Sequence, residues 1–186
     1  MRVVGLDLSL TSTGIAVIDG DRVALGKIST SGKATATLAE RWLRLDDIAT
    51  QVEQWVGHVG QTALVVVEGP SMGQGRQGGT HDRAGLWWLV MDRLHGQGHK
   101  VVEVPPSVRA KYATGAGNAG KDAVLAAVCR RYPSVEVTGN DTADALVLAS
   151  MGARHLGFPL EGLPQTHLQA MGKVRWPVAA GVVLGV

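Results

Sequence analysis

Four acidic residues stand where acids are structurally awkward, and their set suggests metal-assisted hydrolysis of a phosphodiester. Asp7 interrupts RVVGLDL, an apolar run with the look of a strand. A buried carboxylate there is costly unless a cation or hydrogen-bond donors meet it. Glu68 closes the β-branched run ALVVVE, just before a glycine-rich loop. Asp141 and Asp144 open a helical segment at i and i+3, so they share one helical face, a turn apart. Each has a plain structural reading as well. Asp141 after Asn140 suits a helix first turn, where it offsets the dipole. A glutamate at a strand end can be neutral in role, and Asp7 can bond loop amides. The chemical reading rests on the set. A phosphodiester repels nucleophilic water, and two hard divalent cations about 3.5–4 Å apart can activate that water and steady the leaving oxygen. Four carboxylates supply the opposing charge and the oxygen ligands that Mg²⁺ prefers. One cysteine, Cys129, and six scattered histidines make no zinc-type cluster.

The elements that must carry these acids can be traced along the chain. Residues 2–8, 14–19 and 22–28 read as strands, the last two joined by the Asp19-Gly20 hairpin signal. From Thr37 to Val56 apolar residues recur at three- and four-residue steps, with Thr37-x-x-Glu40 as a capping box and Gly57 as the stop. Residues 63–68 predict a strand buried on both faces. The glycine-rich loop GPSMGQGRQGGTHDR leads to a helix from about Ala84 to His95. A strand at 100–104, helical turns at 107–113, a helix at 120–132 and a helix capped by Asn140 and running to about His155 complete the order. The order βββ-α-β-α-β-α-α-α predicts an α/β chain: a mixed five-stranded sheet, its first three strands antiparallel, with helices on both faces. We expect one domain over 1–156 and an irregular C-terminal tail of unassigned role over 157–186.

Bulk properties exclude little. At 186 residues and 45% hydrophobic composition the chain has room for one globular domain. No stretch approaches the ~20 apolar residues of a membrane span. The early acid at position 7 denies the N-terminus the apolar core of a signal peptide. A lone cysteine adds no internal disulfide, and these features together predict a cytoplasmic protein, in a bacterium or a phage-infected host, without a membrane partner. The net charge of +2 permits a nucleic-acid partner without requiring one, and the cations Lys100, Arg109, Lys111, Lys121, Arg130 and Arg131 gather in the second half.

The motifs resemble those of the RuvC family of crossover-junction endodeoxyribonucleases. GLDLSLTSTGIAVID is similar to the family's first motif, with its aspartate at Asp7. VVVEGP resembles the second, with the metal-binding glutamate at Glu68. NDTADALVLA resembles the last, with its two acids at Asp141 and Asp144. KYATGAGNAGKDAV resembles a G-x-G turn followed by a lysine that contacts the cleaved strand, which falls on Lys121. Lys111 lies near a second family lysine, although its spacing to Gly115 is one residue short. The resemblance spans residues 1 to about 156. It implies a ribonuclease H-like fold and two Mg²⁺ ions, replaceable by Mn²⁺, on Asp7, Glu68, Asp141 and Asp144. It also implies cutting of branched DNA, above all four-way junctions, by a homodimer. The tail QTHLQAMGKVRWP is similar to the ends of some phage-encoded members.

One departure stands out. Family members carry an aromatic residue three positions after the catalytic glutamate, and here that position is Ser71, followed by Met72. Base stacking is worth about 1–3 kcal/mol, so junction contacts are expected to fall to Ser71, Lys111, Lys121 and the loop arginines Arg76 and Arg83, with looser sequence preference. Trp87 and Trp88 are expected in the core or at the subunit interface. Three other readings compete. An actin-like ATPase or sugar kinase starts on a similar strand aspartate, but it needs two such domains and a second phosphate loop for which the chain lacks both room and motif. A YqgF-type nuclease acting on ribosomal RNA precursors shares the fold, but such chains are usually shorter and lack the G-x-G…Lys segment. A DNA-binding protein on a dead nuclease scaffold conflicts with the presence of all four acids.

Overall fold

The computed structural model describes residues 1–70 and 79–177. Ser71, Met72 and Arg76 therefore lie outside the described residues, as do 178–186. Strands β1 (Arg2–Asp7), β2 (Ser12–Asp19) and β3 (Arg22–Ser29) are followed by α1 (Leu38–Val56), β4 (Thr62–Glu68), α2 (Thr80–Gly96) and β5 (Val101–Val104). Helices α3 (Pro106–Thr114), α4 (Lys121–Arg131) and α5 (Asn140–His155) come next, then the short α6 (Gln165–Leu168) and a 3-10 turn at Met171–Lys173. The sheet order is β3-β2-β1-β4-β5. The first three strands are antiparallel, as the sequence predicts, while β1–β4 and β4–β5 are parallel and complete a mixed sheet.

Period-2 alternation assigns each strand residue to a face. Val3, Ala16, Ile18, Leu64 and Val66 face a core built with α3, α4 and α5. Val4, Leu6, Ile15, Val17, Val65 and Val67 face the opposite core with α1 and α2. Helix α1 begins as its capping box requires. Glu40 N donates to Thr37 Oγ1 at 3.3 Å, and Thr37 N donates to Glu40 Oε2 at 2.7 Å. Gly57 ends it with φ +74°, a left-handed backbone that a side chain would strain.

Helix α5 is buried from Thr142 to Ala153, so its sequence carries no polar face. It lies on β1 and β2 at backbone distance. A Cβ on Gly5 would sit 2.1 Å from the Ala145 carbonyl oxygen, and one on Gly14 would sit 2.0 Å from that of Asp141. These two glycines let the start of α5 reach the end of β1.

The structure corrects two details, at the starts of α2 and α5. Helix α2 starts at Thr80, not near Ala84, so Arg83 belongs to its first turn and not to the loop; Asp82 there pairs with Arg41 of α1 and ties the turn down. Gly139, with extended backbone, precedes α5, and Asn140 is its first helical residue; no side chain caps it. Residues 157–177 are folded onto the domain. Phe158, Leu160, Leu163, Met171 and Trp176 pack on the α3–α5 core, and Ala170 is fully buried. Tyr112 Oη donates to Glu161 Oε1 at 2.9 Å and accepts from Arg154 Nε at 2.8 Å. The Trp176 ring stacks on His155 at 4.6 Å. Gly and Pro in this segment break its periodicity while its apolar residues still bury.

Candidate active site

Asp7 and Glu68 are the last residues of adjacent parallel strands, one step beyond the Leu6–Val67 pairing. Asp7 follows Val3 and Gly5, and Glu68 follows Leu64 and Val66, so both point to the α5 side. Asp141 and Asp144 occupy the first turns of α5, whose approach over Gly14 brings them to the same end of the sheet. The Ser12 hydroxyl, at the start of β2, donates to Asp141 Oδ2 at 2.5 Å and fixes its orientation. The structure thus gathers all four acids from β1, β4 and α5.

Asp7 and Asp144 each feel the charge of other acids in the set. Burial pushes the Asp7 carboxyl well above the usual range, although part of its surface remains open, and the charges of Glu68, Asp144 and Asp141 push it further. Asp144 is 2% exposed. Burial raises it to about 6, with Glu68 and Asp141 adding to the rise and Arg109 and Lys121 opposing it. Carboxylates forced together in this way are short of positive charge.

One cation in the site escaped sequence reasoning. Arg109 of α3, 7% exposed, donates from Nε to Glu68 Oε1 and from Nη1 to Asp144 Oδ1. A signal existed: Arg109 lies on the buried stripe of α3 with Tyr112 and Ala113, at i, i+3 and i+4, where a charge needs a buried partner. Ser12 offered no comparable signal. Among the described residues no three metal-binding side chains are already gathered around one point. The donor set nevertheless fits a hard divalent cation: four carboxylates, partly to fully buried, two of them with raised pKa.

The remaining expected residues divide. Lys121 is the first residue of α4, and its charge lowers the pKa of Asp144. Lys111 Nζ donates to Gln169 Oε1 at 3.0 Å and ties α3 to the C-terminal segment. Arg83 lines a cleft of about 910 Å³ with Lys33, Arg41 and Arg44, which opens beside Ser9–Thr11, just past Asp7. Trp87 is half-buried and donates from Nε1 to the Glu68 carbonyl at 3.1 Å, whereas Trp88 is 68% exposed. Trp87 thereby helps hold the end of β4.

No family model matches the chain. Among curated proteins it is 32% identical over 160 residues to the crossover junction endodeoxyribonuclease RuvC of Zymomonas mobilis, covering 83% of this chain and 92% of that protein. The chain belongs to the RuvC family. The RuvC of Acidiphilium cryptum is 30% identical over 172 residues, covering 83% of this chain and 92% of that one. Among solved structures, Thermus thermophilus RuvC aligns with a TM-score of 0.60 at 22% identity, over 84% of this chain and 97% of that one. The fowlpox virus Holliday junction resolvase aligns at 0.50 and 10% identity, over 84% and 99%. These likenesses bear out the ribonuclease H-like fold, and RuvC-family nucleases are metal-dependent. No helix among the described residues is long and apolar enough to cross a membrane.

Proposed function

We propose that this RuvC-family chain is a structure-selective endodeoxyribonuclease that nicks four-way DNA junctions, with two Mg²⁺ ions, replaceable by Mn²⁺, held by Asp7, Glu68, Asp141 and Asp144. The observation that carries this reading is the meeting of these four buried or half-buried carboxylates at one end of the sheet. Such ions, when bound, supply a water of lowered pKa and charge opposite the leaving oxygen. The protein does the rest. Asp7 and Asp144, whose carboxyls burial holds above the usual range, must be ionised to serve as ligands, and Ser12 donates to Asp141 Oδ2. Lys121, whose charge is felt at Asp144, meets the phosphate charge that develops as the bond breaks. Lys111 and Arg83, with Ser71 and Arg76 of the glycine-rich loop, contact phosphates, which position DNA without reading its sequence.

A four-way junction has two-fold symmetry, and resolving it takes paired nicks in opposing strands. One site per chain makes one nick, so the working form is a homodimer about a two-fold axis. Trp88 on α2 and Leu38, Trp42 and Leu43 on α1 are exposed apolar side chains suited to that contact. The deciding experiment is Asp7→Asn on a synthetic four-way junction, beside linear, flap and three-way controls. It removes a ligand charge without changing shape, so cleavage should be abolished while junction binding persists. Cleavage within a few-fold of wild type would overturn the reading.

A further inference from the structure

We propose that Arg109 is a resident counter-ion of the active site, which competes with divalent metal for Glu68 and Asp144 and thereby sets how tightly metal binds. The inference rests on the metal-binding reading of the four carboxylates.

The guanidinium of Arg109 forks across two acids from different elements, Glu68 at the end of β4 and Asp144 on α5. All three side chains are shielded from solvent, with side-chain exposures of 8% for Arg109, 15% for Glu68 and 3% for Asp144. Arginine stays charged at any working pH, so this cation is permanent. It gives the carboxylates a partner when no metal is bound, and a buried acid left alone would be strongly destabilising.

The same contacts stand in the way of a metal. A metal held by Glu68 and Asp144 would need oxygens from both, and Arg109 already engages Glu68 Oε1 and Asp144 Oδ1. A divalent cation beside the guanidinium is also repelled by it. Loading the site would therefore require that Arg109 withdraws or that both carboxylates offer the oxygens Arg109 does not hold.

The experiment titrates Mn²⁺ into the full-length protein without DNA, with bound ion counted by electron paramagnetic resonance. Wild type, Arg109→Gln, Arg109→Lys and Asp7→Asn are compared at one pH and ionic strength, and each is melted in EDTA and in saturating Mn²⁺. Arg109→Gln should bind Mn²⁺ at least about tenfold more tightly than wild type, since the competing charge is gone. It should also melt lower in EDTA and gain more from Mn²⁺. Arg109→Lys keeps the charge but cannot fork across two acids, so it should bind Mn²⁺ more tightly than wild type and less tightly than Arg109→Gln. Equal or weaker Mn²⁺ binding by Arg109→Gln would overturn the proposal; if that variant does not fold, Arg109→Lys binding no tighter than wild type does so instead. Asp7→Asn separates the two levels. Loss of Mn²⁺ binding in Asp7→Asn with no change in the Arg109 variants refutes the counter-ion alone. Wild type that binds no Mn²⁺, or Asp7→Asn that binds it undiminished, refutes the site as well.

Discussion

Gly14→Ala adds one methyl group to β2 and should disable the site from behind. A Cβ there meets the Asp141 carbonyl oxygen at 2.0 Å, its carbon at 2.3 Å and its Cα at 3.1 Å. All three are backbone atoms, so no side chain can swing away. Opening the 2.0 Å approach to the 3.0 Å that Cβ atoms require moves the start of α5 by at least about 1 Å. Asp141 sits at the point of contact, and Asp144 is one turn on. Misplacement of that size costs on the order of 100-fold in rate, while overpacking of this kind costs about 1–3 kcal/mol of stability. For a domain of this size that is a fall of about 2–4 °C in Tm for each kcal/mol. Single-turnover cleavage of a labelled junction at saturating protein reads the first effect, and a thermal melt in EDTA the second. Gly139→Ala is the control. It lies two residues from Asp141, has φ 176°, and its Cβ would meet nothing within 4 Å, so it should cleave and melt much like wild type. Gly14→Ala that cleaves within a few-fold of wild type and melts at the same temperature would refute the account of how α5 is seated.

Three further outcomes are expected. In EDTA the protein should be more stable at pH 5 than at pH 8. The folded pKa of Asp144 is raised from 3.8 to about 6, so the associated stability is present below the unfolded value and lost as pH rises through about 6. The full rise is worth about 3 kcal/mol, of which about half is read between pH 5 and pH 8 because the unfolded carboxyl already ionises above 3.8, and Asp7 acts in the same direction. A urea-melt series in which Asp144→Asn has the same pH slope as wild type would contradict this; with Mg²⁺ present, cleavage should instead fall as pH drops through about 6, because protons then hold the ligand oxygens. Lys121→Ala should slow cleavage at least about tenfold at saturating protein with little change in junction affinity, whereas weaker binding at an unchanged rate would make Lys121 a phosphate anchor only. Trp88→Glu should turn a dimer into a monomer in sedimentation at micromolar concentration and leave single nicks in place of paired ones; a wild type that stays monomeric with junction present would count against the dimer.

The acids could be found in the sequence because each violates its local pattern. Asp7 breaks a strand that is otherwise apolar, and period-2 counting alone puts it on the face of Val3 and Gly5. Glu68 obeys the same parity with Leu64 and Val66, so both strand acids share a face before any tertiary contact is considered. Asp141 and Asp144 are tied by helical spacing. What joins the strand pair to the helix pair is not local at all: it is the absence of two side chains, at Gly5 and Gly14, which lets α5 approach to backbone contact. A glycine in a strand reads as a weakness until the element that presses on it is known. Arg109 and Ser12 escaped for a related reason. Their partners are 35 and 41 residues away for Arg109 and 129 for Ser12, so only the fold reveals them, although a charge on the buried stripe of α3 was a warning. The C-terminal segment shows the opposite failure. Its glycines and prolines suggest irregular chain, and irregular it largely is, but backbone regularity and burial are separate properties. Trp176 on His155, Glu161 on Tyr112 and Gln169 on Lys111 fasten it to α3 and α5, the helices that carry Arg109 and the two helical acids. The segment therefore buttresses the site from outside, where no periodicity would have placed it.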